Sequence, residues 1–434
     1  MRILFVSEYY HPRVMGGGEI NLHILATALA KRNVSVSVLT SSHPSLPSFE
    51  KKDGVRIYRT LTTGETPQGI KHNLVRCTLF PRSVVREVAH LTKKIPFDLI
   101  HFLGASVIAA PKLKHLHIPL FATMESYPAL CPKGDRIFHG KTECKIKWSF
   151  SQFLSCQADS AEIGKMKNTP FLKYNPLALT LIYNHYAKLR HALKYCHIIA
   201  ISEYVHKVLL QHGVSSTVIP NIINIRSFAI PTPRKQLQNN PPNILYLGSL
   251  LRSKGPHLLL RAIQGLHCHC DFYGDGPMKE ELQRLIQQKH LNVTIHPPVP
   301  YHQVPSLYAN ADIVVFPSIW PEPFGRIAIE AAAAGKPVIG TRIGGIKETI
   351  PDTAGILVSP GNEEELHAAI QQLIENPLVR KKMGMAGKKH AEKYSESNIT
   401  KQLIQTYSTH SKTKLKVMKM RESASPRTKI RGLN

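Results

Sequence analysis

The chain has 434 residues, more than a single hydrophobic core usually serves, so two domains are expected. With 43% hydrophobic and 20% charged residues, its composition is that of an ordinary folded protein and excludes a largely disordered one. Lys and Arg number 56 against 29 Asp and Glu, a formal charge of +27 that draws the protein toward anions: nucleic acid, a nucleotide substrate or an acidic membrane surface.

The opening RILFVSEYY reads as a buried strand, HPRVMGGGE as a glycine loop, INLHILATALAKR as a helix and VSVSVLTS as a second strand. The alternation continues through FDLIHF, SVIAAPKLKHL and PLFATME, the pattern of βαβ units on a parallel sheet. Residues 130–190 are irregular and rich in aromatic and basic side chains, after which CHIIAISEYVHKVLLQHG and VIPNIIN complete a first half, residues 1–225. The polar, proline-rich run over residues 226–242 has linker composition. A second series of strands and helices fills residues 243–392, from ILYLGSLLRSKGPHLLLRAIQGL to EELHAAIQQLIENP. Two doubly wound α/β halves would face each other across a cleft lined by loops at the strand C-termini.

The rest of the chain bears on location. No apolar run reaches the about 18 residues of a spanning helix, and MRILFVSEYY meets Glu8 too early for a secretion leader, so a cytoplasmic protein is expected. Cys77, Cys131, Cys144, Cys156, Cys196, Cys268 and Cys270 are an odd number, consistent with reduced thiols. Cys131, Cys144 and Cys156 are either metal ligands or buried thiols; they lack a CxxC pair, which favours thiols. Cys268 and Cys270 alternate along a strand and suit core packing.

Four places carry candidate chemistry. Gly16-Gly17-Gly18 follows the first strand and opens a helix, where bare backbone and a helix N-terminus can meet an anion. The spacing is not GxGxxG, and GxxxxGK[ST] occurs nowhere, which disfavours dinucleotide and P-loop sites. The corresponding loop of the second half, Gly248 to Gly255, offers Ser249 and two cations, Arg252 and Lys254, suited to a diphosphate. In PSIWPEPFGRIAIEAAAAG, Glu322 lies just past a strand and Glu330 on the second turn of the following helix, with Phe324, Gly325 and Arg326 between them. About 8–12 Å is expected to separate the two acids, too far for a shared proton but suited to two parts of one extended ligand. His101, read as the end of the strand FDLIH, is a candidate to touch a ligand or move a proton. Asp275 in GDGP reads as turn chemistry.

Taken together, EPFGRIAIEAAAAGKPVIGTRIGGIKE, FYGDGP, VPSLYANADIVVFPS, AGILVSPGNEEEL, the glycine loop, FDLIH, AISEYV and VIPNIIN resemble the family-four retaining glycosyltransferases of the GT-B fold, with an E-x7-E region. The likeness extends over roughly residues 1–408 and is strongest over 243–394. It implies transfer of a sugar from a nucleotide-sugar donor to a hydroxyl acceptor, with retention and without a metal or other cofactor. Carried over by position, Glu322 would hold donor-sugar hydroxyls, Glu330 the ribose, and Lys254 the leaving diphosphate. Backbone amides at Phe324 and Gly325 would assist, the Gly16–Gly18 loop would close from the other half, and His101 would contact the sugar. A helix over residues 393–408 would cross back to the first half, leaving 409–434 as a basic, disordered tail. Two departures stand out: Ser249 occupies a position where relatives usually carry Arg, with Arg252 as the candidate substitute, and Glu125-Ser126 occurs where the family often has His-Asp.

The charge is accounted for by attachment to an anionic leaflet, at the inner face of the plasma membrane, where a lipid-linked or cell-envelope glycan acceptor is presented. The alternatives are a GT-B epimerase or phosphorylase, and a basic nucleic-acid-binding protein. The latter lacks aromatic-basic interleaving, a zinc finger or an RNA-binding motif, so nucleic acid is not an expected partner.

Overall fold

The structure, a computed structural model, describes residues 1–64, 70–131, 136–138, 142–144, 149–151, 153–154, 175–229 and 241–423. Cys156 and most of the expected linker lie outside the described residues.

The first half carries β1 (Arg2–Val6), β2 (Ser35–Ser41), β3 (Phe49–Lys52), β4 (Val55–Leu61), β5 (Leu99–Leu103) and β6 (Leu120–Met124). It continues with a small hairpin of β7 (Ile137–Phe138) and β8 (Thr142–Glu143), then β9 (His197–Ala200) and β10 (Ser216–Val218). Apart from the hairpin these form one sheet in the order β10-β9-β6-β5-β1-β2-β4-β3, parallel throughout except for β3 against β4. β1 and β5 are buried on both faces because helices cover both sides, whereas β4, beside the edge strand, alternates buried and half-buried residues.

The second half contains β11 (Asn243–Leu247), β12 (His269–Tyr273), β13 (Val293–His296), β14 (Ile313–Phe316), β15 (Val338–Thr341) and β16 (Gly355–Val358). They form an all-parallel sheet ordered β13-β12-β11-β14-β15-β16. In each sheet the strand order reverses beside the first strand of that half, β1 and β11, so the loops after these strands sit where ligands bind in doubly wound sheets.

The two C-terminal sheet edges meet. Tyr127, past β6, donates its hydroxyl to the carbonyl of Pro321, past β14, at 2.6 Å, and Ser202, past β9, donates to Pro323 at 2.6 Å. Glu348 accepts from the backbone N–H groups of Glu203 and Tyr204 at 2.8 and 2.7 Å. A continuous apolar core runs across the junction, with Tyr127, Ile223 and Phe228 of the first half joined to Phe324, Ile346 and Tyr394.

The helix Glu396–Ser423 returns to the first sheet and buries Ile399, Leu403 and Tyr407 beside Phe121 and Ile199. It runs past residue 408, so the stretch expected to be a disordered tail from 409 is helical as far as Ser423. The basic side chains beyond His410 have no described environment. The alanines of the helix Arg326–Ala333 also have a partner: the helix Pro377–Ala391 crosses it closely. A Cβ on Gly387 would stand 3.2 Å from the Cα of Ala332, and one on Gly384 would collide with the carbonyl of Gly335.

Candidate active site

β14 delivers the chain into the loop 317–325, and this loop is moulded by glycines opposite it. Gly344, at φ +57, lies so close that a Cβ there would stand 2.7 Å from the nitrogen of Glu322 and still nearer its carbonyl oxygen. Gly345 donates its N–H to that carbonyl at 2.7 Å. Within the loop, the N–H of Glu322 is turned back onto the carbonyl of Trp320 at 2.7 Å. The Glu322 side chain, 7% exposed, accepts from Ser318 at 3.1 Å and from Lys254 Nζ at 2.5 Å.

Lys254 comes from the loop after β11, on the 3-10 turn Arg252–Lys254, and its ammonium also stands 4.1 Å from the Trp320 ring centre. Gly255, at φ +72, allows this turn to run directly against the carbonyl of Pro317, where a side chain would collide. The loop is braced from behind by the GDG turn, since a Cβ on Gly274 or Gly276 would strike the carbonyl of Gly248 or Leu250. Asp275 takes part through its backbone carbonyl, which accepts from Leu250 N–H at 2.9 Å. Ser249 and Arg252 are exposed on the same loop, and among the described residues Arg252 enters no ion pair.

Eight positions after Glu322, Glu330 is 3% exposed on the helix Arg326–Ala333. Its carboxylate accepts from Arg326 Nε at 2.7 Å one turn earlier, and from the hydroxyls of Tyr301 at 2.9 Å and Tyr308 at 3.1 Å. Burial and the Glu330 charge push both tyrosines above the usual phenol range. A carboxylate has about four acceptor positions, so one remains after these three bonds. Gly325, at φ +92, starts the helix tightly against Ile346 and Thr349, and the amides of a first helical turn are the ones a helix leaves unpaired.

Arg326 ties this cluster to the first half. Its guanidinium donates to the carbonyl of Ile222 at 3.3 Å and to the Tyr301 hydroxyl at 2.7 Å, and a Cβ on Gly17 would touch its Cδ at 3.6 Å. Gly16 and Gly17 open the helix Gly17–Ala30, whose Glu19 reaches back to the N–H of Gly16 at 2.9 Å. Gly18 faces Glu125, the first residue past β6. The structure therefore brings Gly17, Gly18, Arg326 and Glu330 to one end of the cleft, and Lys254, Glu322, Phe324 and Gly325 to the loop beside it.

His101 is not among them. β5 runs on to Leu103, which places His101 in mid-strand rather than at the strand's end, and it is 1% exposed. Its Nδ1 pairs with the Tyr407 hydroxyl at 2.5 Å and its Nε2 with Thr123 at 2.7 Å. Burial lowers its pKa to about 3, and it borders a small cavity of about 20 Å³ flanked by Ile399 and Leu403. The reading of His101 as a cleft histidine is corrected: the returning C-terminal helix covers it, and FDLIH alone does not reveal that cover.

Several residues of this site escaped the sequence reading. Tyr301, Tyr308 and Trp320 carry no local signal because aromatic side chains are common in cores and turns. Gly344-Gly345 was visible in TRIGGIKE as a pair demanding close approach, but not what approaches it. Among the described residues no group of three metal-ligating side chains occurs.

Comparison with known proteins agrees with this geometry. The family described as Glycosyltransferase Family 4 matches residues 15–227, and Glycosyl transferases group 1 matches residues 231–390, so the two meet at the junction of the two sheets. The chain is a glycosyltransferase of the GT-B fold. An uncharacterised glycosyltransferase of Methanocaldococcus jannaschii is 26% identical over 94% of this chain and 98% of its own length. A D-inositol 3-phosphate glycosyltransferase of an Arthrobacter species is 26% identical over 94% of each chain. In fold, this glycosyltransferase superposes on a sucrose-phosphate synthase from Thermosynechococcus elongatus with a TM-score of 0.70 at 21% identity, covering 94% and 99% of the two chains. It also matches Anabaena HepE, solved in complex with UDP, with a TM-score of 0.67 at 21% identity over 94% and 100%.

Proposed function

We propose that this glycosyltransferase moves a sugar from a nucleotide-sugar donor to a hydroxyl acceptor with retention at the anomeric carbon and without a metal. The single observation that carries the reading is the Lys254–Glu322 contact beside the start of the helix Arg326–Ala333. As the bond from the anomeric carbon to the diphosphate breaks, negative charge grows on the phosphate. Lys254, the amides at Phe324 and Gly325 and the helix N-terminus concentrate positive potential there, the task a metal performs elsewhere. Lys254 exchanging Glu322 for the diphosphate would release a carboxylate oxygen for the sugar hydroxyls. Glu330, with one acceptor position left, suits a ribose hydroxyl, and Arg326 with Gly17 and Gly18 forms the wall beside it. Ser249 and Arg252 border the diphosphate loop, Arg252 as the second cation.

HepE with UDP supports a uridine donor, and the inositol phosphate relative supports a polar, hydroxyl-bearing acceptor. The charge of +27 supports a location at the inner face of an anionic membrane, with a lipid-linked or envelope glycan as acceptor. No helix among the described residues is long and apolar enough to cross a membrane.

The test is a thermal-shift screen of nucleotide diphosphates and nucleotide sugars with and without EDTA, followed by NMR of the product's anomeric proton. Stabilisation by one nucleotide, EDTA-insensitive turnover and a retained configuration are expected. Lys254→Ala and Glu322→Ala should each lower kcat by about 10²–10³-fold. Normal turnover in both variants would refute the reading.

A further inference from the structure

Lys254 has two neighbours of different kinds. Glu322 holds the ammonium by charge, at 2.5 Å, and is the partner that an exchange with a diphosphate takes away. The other is Trp320, over whose ring the ammonium lies 4.1 Å from the centroid. Lysine's flexible four-carbon stem does not by itself fix the position of its charge. Among the described residues Glu322 is the carboxylate paired with Lys254, so once that pair opens the indole face is the contact that stays.

The ring is itself held in place. The Trp320 N–H donates to the carbonyl of Ser253 at 3.1 Å, and the N–H of Ile319 donates to the same oxygen at 2.9 Å. The residue before Lys254 is thereby tied to the residue that carries the indole. From the first half, the buried Tyr127 ring crosses the indole at 82°, with centroids 6.3 Å apart, and its hydroxyl is bound to the carbonyl of Pro321, the next residue along. Trp320 remains half-buried: it packs on the core and presents a face to the cation.

An aromatic face attracts an ammonium through its quadrupole and does not neutralise it. A carboxylate competes with a phosphate for the same charge, whereas an indole leaves that charge available to the phosphate. Resting on the reading of Lys254 as the diphosphate cation, we propose that Trp320 is a positioning residue, whose indole face keeps the Lys254 ammonium in place as it passes from Glu322 to the diphosphate of the donor. Trp320 acts in this role through Lys254 alone, and Tyr127 makes the placement of that face depend on the first half.

The experiment alters the electrons of the ring while leaving its bulk nearly unchanged. Tryptophans with increasing numbers of ring fluorines, which withdraw density from the face, are introduced at position 320 of the full chain. Uridine, adenosine and guanosine diphosphates are then titrated calorimetrically into each protein. Affinity for the diphosphate that binds should fall stepwise with fluorine number, by about 2–30-fold across the series, and the same series in Lys254→Ala should be flat. Trp320→Leu should show a loss of the same order, most of it recovered in Trp320→Phe, which restores a ring face. Affinity indifferent to fluorine number, or an equal slope in Lys254→Ala, overturns the inference, and the first outcome decides even if Trp320→Leu does not fold. If none of the diphosphates binds, or Lys254→Ala binds them as well as the unaltered protein does, the reading of Lys254 fails and takes this inference with it. A flat series beside a weakened Lys254→Ala removes this inference alone.

Discussion

Replacing Gly344 by alanine tests the claim that the loop bearing Glu322 is shaped from across the sheet edge. Two costs add. A residue with a Cβ at φ +57 is strained by about 1–2 kcal/mol. The Cβ would also lie within 2.7 Å of the backbone of Pro321 and Glu322. Backbone cannot rotate away as a side-chain end can, so relieving that contact means displacing the loop, at about 1–3 kcal/mol more. Gly361 supplies the control: its φ is +78, yet no atom lies within 4 Å of a Cβ there, so Gly361→Ala carries the strain without the collision. Urea unfolding should show Gly344→Ala destabilised by about 2–5 kcal/mol and Gly361→Ala by about 1–2 kcal/mol. The functional consequence is larger. A displacement on the order of 1 Å at a positioned group costs about 10²-fold in rate, so turnover should fall by that order in Gly344→Ala and remain near normal in Gly361→Ala. Equal stability losses together with equal turnover would refute the reasoning, because the two variants differ only in what their new methyl groups meet.

Arg326→Ala leaves Glu330 buried with two tyrosines for partners and should cost about 3 kcal/mol or more, read by urea unfolding. Adding Glu330→Gln to it should recover part of that stability but none of the nucleotide affinity measured by calorimetry. His101, held neutral with a pKa of about 3, binds its proton in the unfolded chain first, so its contribution is complete above the unfolded value of about 6.5 and is lost as pH falls. Between pH 7 and 5 it should account for about 2 kcal/mol of lost stability, a difference missing from His101→Gln. Removing residues 411–434 leaves Tyr407 and the His410–His197 ring contact in place, at 4.1 Å between centroids. Sedimentation with anionic vesicles should weaken in that variant and at high salt while nucleotide binding persists; unchanged sedimentation would discard the membrane role of the basic end.

How much of this was legible in the sequence depends on how local each feature is. The alternating strands and helices, the glycine loop after β1 and the cationic loop after β11 are written in contiguous residues, and the doubly wound fold follows from them. Glu322 and Glu330 could be assigned different positions because the strand, the Pro-Phe-Gly turn and the helix fix their spacing along the chain. His101 failed for the complementary reason. What decides its surroundings is Tyr407, more than 300 residues away, and no pattern within FDLIH records a cover that arrives from the end of the chain. The partner of the alanine helix is equally remote: the glycines that let a second helix approach it, Gly384 and Gly387, lie in PLVRKKMGMAGKKHA, where they look like ordinary interruptions of a basic helix.

Two cations of the cleft are each paired with a carboxylate. Lys254 is held by Glu322 and Arg326 by Glu330, each cation at 2.7 Å or less from its carboxylate. Pairs of this kind remove much of the desolvation penalty that a lone buried charge would carry, and each pair can trade its partner for a ligand group of the same sign. A diphosphate competing with Glu322 for Lys254 is such a trade.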